Sequence, residues 1–250
     1  MRAARFKRDP GQPAKVLGHR GARHAAPENT LAAFELARAE GAAGVELDVR
    51  IDAEGTVIVL HDPTLTRVTA GACSAHVEDL KRADWAALDV GKGEKVPLLV
   101  DVLDWAKRHD LCVNVEVKAD VRNRRRLLSA VVQCLAPRAA ESERLLLSCF
   151  HPGIVWHLAK HLPDFGVNWL VHDRQPLLGR APAFRRLGAL GVNPQHTLLS
   201  VSSVERWKAA GALLCTWTVN SPELALAYDH FGVDVIISDE PGRVLSALRG

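Results

Sequence analysis

No apolar run in this sequence approaches the ~18 residues of a membrane-crossing helix. Its first stretch, MRAARFKRDPGQPAK, is basic and polar, with no apolar segment behind it. Neither a secretory leader nor stable membrane insertion is expected. A dense basic stripe interleaved with aromatics is also missing. Aromatics make up 5% of the 250 residues, and 32 Lys and Arg stand against 29 Asp and Glu, for a formal charge of +3. Nucleic acid is therefore not an expected partner. The nearest approach to a charge run, Asn123 to Arg126, reads as the solvated face of a helix. Five cysteines, Cys73, Cys112, Cys134, Cys149 and Cys215, are scattered and odd in number, without a C-x-x-C pair. They read as reduced thiols of a cytoplasmic protein. Gly91-Lys92-Gly93 lacks the frame of a phosphate-binding P-loop. There is no internal repeat and no linker-like shift in composition.

What is present begins with a hairpin. VELDVRI alternates strictly, with Glu46, Asp48 and Arg50 on one face and Val45, Leu47, Val49 and Ile51 on the other. Asp52 to Gly55 can reverse the chain, and TVIVLH returns it. If Ile51 pairs with Thr56, Glu46 comes opposite His61, and His61, Glu46 and Asp48 share a face. Two acids on the face of a central strand are costly unless something compensates them. A cation that prefers oxygen ligands, Mg2+ or Ca2+, would do so. Taken alone, E-x-D also fits an ordinary strand with a solvated acidic face.

The rest of the chain keeps a strand–helix rhythm. Residues 1–14 read as a loose arm. Residues 15–19 form a strand ending in His19-Arg20-Gly21. Pro27-Glu28-Asn29-Thr30 opens a helix capped by Asn29 or Thr30, whose N-terminus would face the same mouth and favour an anion. About 63–95 reads as an insertion after His61. In 111–118, Asn114, Glu116 and Lys118 share one face, marking either an occupied site or an idle ion pair. Further strands are expected at 145–148, 167–171, 189–192, 213–219 and 235–238, each followed by a helix. Eight strands without the antiparallel return give a (β/α)8 TIM barrel over 15–250, with one hairpin deviation and the small insertion. Chemistry in such barrels sits at the C-terminal strand ends, where His19, Glu46, Asp48, Glu116, Ser148 to Phe150 and Trp217 to Asn220 fall.

On these residues the chain resembles the glycerophosphodiester phosphodiesterase family. The matching segments are HRG, PENT, the E-L-D strand, HD after the hairpin, VPLL, E-V-K, CFHP, TWTVN and VDVIISDEP, in family order over roughly 15–245. The resemblance implies metal-dependent hydrolysis of a small phosphodiester to sn-glycerol 3-phosphate and an alcohol, within lipid and glycerol metabolism. It implies one divalent cation, Mg2+ or Ca2+, on Glu46, Asp48 and Glu116, with His19 and His61 as the acid/base pair. Arg20 and Lys118 would hold phosphate oxygens, and Trp217 would line the alcohol side. Three positions depart from the family pattern: Cys149 for a common serine, Asp101 for a common glutamate, and the GACSAH stretch at 71–76. A lysophospholipase D-like activity, or a non-catalytic phosphate binder on the same barrel, are the competing readings. His157 and His161, spaced four apart on a helix, lack an accompanying acid and read as surface histidines. Cys149 reads as a small buried apolar residue.

Overall fold

The computed structural model describes residues 2–175 and 183–250. Among these the strands are β1 (Lys15–His19), β2 (Gly44–Ile51), β3 (Val57–Val59), β4 (Cys112–Val117), β5 (Leu145–Cys149), β6 (Gly166–Val171), β7 (Gly191–Pro194), β8 (Leu213–Thr216) and β9 (Val235–Ser238). The helices are α1 (Leu31–Ala39), α2 (Arg82–Trp85), α3 (Leu99–Arg108), α4 (Arg124–Leu135), α5 (Pro152–His161), α6 (Ala183–Arg186), α7 (Val201–Ala209), α8 (Pro222–Phe231) and α9 (Pro241–Arg249). All strands but β3 are parallel to their neighbours, and pairing of β1 with both β2 and β9 closes an eight-stranded barrel. β3 lies antiparallel against residues 49–51 of β2, whereas β1 pairs with residues 44–46. β3 therefore continues the barrel wall beyond the end of β1.

The alternation in β2 sorts its side chains. Val45, Leu47, Val49 and Ile51 pack with Val113, Val115, Val117 and the helices in the main apolar core. Glu46, Asp48 and Arg50 are thereby turned into the barrel, all three buried. The strand walls approach closely at two glycines. A Cβ on Gly44 would lie 2.1 Å from the Cys112 carbonyl oxygen, and one on Gly191 1.9 Å from that of Leu213.

The structure differs from the sequence reading in four places. Ile51 pairs with Val57, not Thr56. The turn is one residue longer because Asp52 Oδ1 accepts from the N–H groups of both Glu54 and Thr56, with Gly55 at φ +85° closing the reversal. A one-residue change moves every side chain of the returning strand to the other face. β3 ends at Val59, and His61, two residues beyond it, still lines the mouth. Second, the arm is not loose. Ala3 and Phe6 are buried with Leu17, Cys112, Leu146 and Leu213, filling the bottom of the barrel, and Arg5 pairs with Asp110 at 2.6 Å. Third, β7 runs two residues later than expected, which turns Asn193 into the interior. β8 likewise stops at Thr216. Fourth, the start of α1 has two of its first N–H groups taken by side chains. Thr30 caps it through the Ala33 N–H, and Glu94 of the insertion accepts from Ala32.

The insertion carries its own small core. Leu65, Val77, Trp85, Val90 and Val96 pack on Ile58 and Leu60, and the Trp85 indole N–H donates to Asp52 at 3.2 Å.

Candidate active site

The barrel's parallel register sets the acids side by side. Asp48 of β2 is paired with Glu116 of β4, and Glu46 with Asn114. Carboxylate oxygens of Glu46, Asp48 and Glu116 lie within 4.8 Å of one another. Lys118 sits among them, its Nζ 2.8 Å from Glu116 Oε1 and 3.3 Å from Asp48 Oδ1. Arg20, at φ +55° on the turn after β1, places Nε 3.2 Å from Asp48 Oδ2 and Nη1 2.8 Å from Glu28 Oε1. That Nε is buried and makes no hydrogen bond, since its approach to Asp48 is out of line.

The acids respond unequally to this crowding. Burial pushes the Glu46 carboxyl well above the usual carboxylate range, and the charges of Asp48 and Glu116 push it the same way. Burial raises Glu116 too, against the pull of Lys118. Burial also opposes the charge on Asp48, but Lys118, Arg20, His61 and the 2.9 Å bond from Asn29 hold it well below the usual range. Three buried acids facing two cations, with an all-oxygen donor set, fit a hard divalent ion.

Each imidazole is anchored by a carboxylate. His19 Nδ1 is 2.6 Å from Asp239 Oδ1, and Asp239 also accepts from Asn220 and is ion-paired with Arg23 at 2.8 Å. His61 Nδ1 is 2.7 Å from Asp62 Oδ1. Burial opposes the charge on Asp62, but Arg67 and His61 hold it down to about 2. Burial works against Asp239 as well, and the bonds from His19 and Asn220 outweigh it. Ionised carboxylates only accept, so Nδ1 of each ring donates, which leaves Nε2 as the atom that takes up or gives a proton. His19 Nε2 lies 4.0 Å from Glu46 Oε2, which aims it at the acids. Burial, aided by Lys118 and Arg20, lowers His61 from the ordinary imidazole value against the pull of Asp48, which favours the neutral ring.

Both rings line one cavity of about 160 Å3 with Arg20, Glu46, Asn114, Glu116 and Lys118. Phe150, Leu170, Trp217 and Ile237 form its apolar side, with the Trp217 ring edge-on to Phe150 at 5.6 Å and its N–H donating to Asn193 O. This volume is below the roughly 300–1,000 Å3 of sites for drug-sized ligands, so it suits a small molecule. All eight residues singled out from the sequence therefore meet at one mouth. Sequence reasoning missed their partners: Glu28, Asn29, Asp62, Arg67 and Asp239. Asp62 and Asp239 stand in the HD and SDEP segments and could have been found there.

The lesser candidates stay apart from this mouth. Cys149 is buried, and burial pushes its thiol up to about 12, far from a thiolate nucleophile. His157 and His161 stack at 4.2 Å on α5, on the outside of the barrel. No helix among the described residues is long and apolar enough to cross a membrane. All five cysteines are free.

Fold and mouth together define an α/β barrel enzyme with an acidic, two-histidine site. Two solved structures share its form. A putative glycerophosphoryl diester phosphodiesterase from Silicibacter pomeroyi superposes with a TM-score of 0.87 at 26% identity, covering 98% of this chain and 95% of that one. An Oleispira antarctica phosphodiesterase, solved in complex with the product sn-glycerol-3-phosphate, gives 0.86 at 26% identity, covering 95% and 98%. The glycerophosphodiester phosphodiesterase of Caldanaerobacter subterraneus is 30% identical over 241 residues, 94% of this chain and 97% of that protein. The profile of the Glycerophosphoryl diester phosphodiesterase family matches residues 19–243. The chain belongs to that family, and so to the phosphoric diester hydrolases.

Proposed function

We propose that the chain hydrolyses glycerophosphodiesters to sn-glycerol 3-phosphate and an alcohol, with one divalent cation, Mg2+ or Ca2+, held by Glu46, Asp48 and Glu116. The observation that carries this reading is the pair of imidazoles, each anchored at Nδ1, lining the same cavity as Glu46 and Glu116, with the Asp48 carboxylate within 4.8 Å of both. Bound there, a cation polarises non-bridging phosphate oxygens and eases deprotonation of a hydroxyl. Arg20 lines the cavity and offers its guanidinium to a phosphate oxygen, and Lys118 adds a point charge. One imidazole takes a proton at Nε2 from the attacking hydroxyl. The other delivers one to the leaving oxygen as the phosphorus–oxygen bond breaks. Asp62 and Asp239 fix the rings in the tautomer these steps need and stabilise them when charged. Trp217 and Phe150 offer an apolar wall to the alcohol. The proposed setting is the cytoplasm, supported by the free cysteines.

The test is release of sn-glycerol 3-phosphate from a panel of diesters by purified protein, with Mg2+, Ca2+ or EDTA. Glycerophosphocholine or a close relative is expected to turn over with a cation and to stop in EDTA. Binding without turnover would identify a non-catalytic barrel. Faster cleavage of lysophosphatidylcholine would identify a lysophospholipase D. Anchored proton-transfer rings favour an enzyme over a binder, since binding alone has no use for them.

A further inference from the structure

One cation ties the mouth to the insertion. Arg67 stands in a short turn stiffened by its own backbone. Thr69 N–H donates to Leu65 O at 3.0 Å, and Gly71 N–H to Thr66 O at 2.8 Å. The Thr69 hydroxyl donates to Leu65 O at 2.8 Å and accepts from the Cys73 N–H. Leu65, beneath the turn, is fully buried in the insertion's core. From this mount the guanidinium reaches two carboxylates. Nε is 2.7 Å from Asp62 Oδ2, Nη2 is 2.7 Å from Glu28 Oε1, and Nη1 is 3.0 Å from Glu28 Oε2.

Both acids also hold a side chain of the cavity. Asp62 Oδ1 holds His61 Nδ1, and Glu28 Oε1 accepts from Arg20 Nη1. One planar fork thus joins the carboxylate that orients an imidazole to the carboxylate that orients the cavity's guanidinium. An isolated ion pair on a half-exposed arginine is worth little. This one is bidentate on Glu28, shared with Asp62 and fixed at its root, an arrangement a lysine's single point charge cannot reproduce.

We propose that Arg67 is a positioning residue that acts through Asp62 on His61, so that the insertion is part of the hydrolytic machinery and not a surface elaboration. The proposal rests on the acid/base reading above. A ring displaced by about 1 Å can cost on the order of 10²-fold in rate, so Arg67→Ala is expected to lower kcat by about 10- to 100-fold with cation saturating. KM should change much less than kcat. Arg67→Lys should recover only part of the loss.

The deciding experiment is a pair of double-mutant cycles on the cation-loaded enzyme, read as sn-glycerol 3-phosphate release. In a His61→Ala background, Arg67→Ala should cost clearly less than in the parent, because the ring it orients is gone and only its hold on Glu28 remains. In a His19→Ala background it should keep its full cost. The same cost in all three backgrounds, or full recovery by Arg67→Lys, would overturn the proposal while leaving the acid/base reading intact. Near-normal turnover by His61→Ala would instead sink that reading, and Arg67's role with it. Should Arg67→Ala fail to fold by circular dichroism, Asp62→Asn carries the same cycles with the same expected and contrary results.

Discussion

Loading the acid cluster with a divalent cation should stabilise the protein, and by more at pH 8 than at pH 5. Glu46 and Glu116 have folded-state pKa values raised by burial and by their acidic neighbours. A raised carboxyl contributes its stability fully below its unfolded value, about 4.3, and loses it as pH rises through the folded value. The cation-free protein should therefore weaken between pH 5 and 8. Asp48 is shifted the other way, so its contribution is lost only in stronger acid and does not mask the trend. A cation replaces the protons that Glu46 and Glu116 hold and removes the repulsion that raised them. At a hundred times its Kd it adds about 2.7 kcal/mol. For a chain of this size 1 kcal/mol moves Tm by roughly 2–4 °C, so the shift should be about 5–11 °C. Thermal unfolding with Mg2+ or Ca2+ against EDTA, at the two pH values, measures it. Equal shifts at pH 5 and 8, or an undiminished shift in Glu116→Gln, would refute the assignment of these acids to one ion.

Three other outcomes are expected. His19→Ala and His61→Ala should each lose at least ~10²-fold in kcat while unfolding near the parent's temperature; near-normal turnover by either removes that ring from the chemistry. Phe6→Ala should cost about 3–5 kcal/mol in urea unfolding, because it opens a hole at the bottom of the barrel. A loss under 1 kcal/mol would mean that the arm is only laid against the barrel. Gly44→Ala should cost about 3 kcal/mol or more, since the new methyl meets the Cys112 carbonyl oxygen at 2.1 Å and backbone cannot give way cheaply. A soluble, normally stable variant would show that β2 and β4 can part to admit a methyl at no cost.

The barrel was readable because strand parity is a local property. The alternation in VELDVRI and VNVEVK states which side chains go in and which go out before any partner strand is known. The register of the hairpin was not readable, because it turns on Asp52 accepting two N–H groups and adding a residue to the turn. His61 still lines the mouth, two residues beyond the end of β3. Nor could the arm's burial be read from Ala3 and Phe6 among charged neighbours. It depends on the space left by small residues at the barrel's foot, where a Cβ on Gly166 would lie 2.8 Å from that of Ala3. The anchoring acids had the same obscurity, since Asp239 meets His19 only when β9 closes against β1.

The sequence alone supplied the inward faces of β2 and β4 and the expectation that acids, imidazoles and cations would gather at the upper end. Only the tertiary structure decided how each acid behaves. Glu46 and Asp48 are two residues apart on one strand, equally buried, and chemically alike. Yet one is driven to hold its proton and the other to lose it. Asp48 meets Lys118, Arg20 and Asn29 side chains, while the Glu46 carboxylate accepts from the backbone N–H of Arg20. Charge in a buried site is set by neighbours gathered from distant parts of the chain, and local pattern carries no record of them.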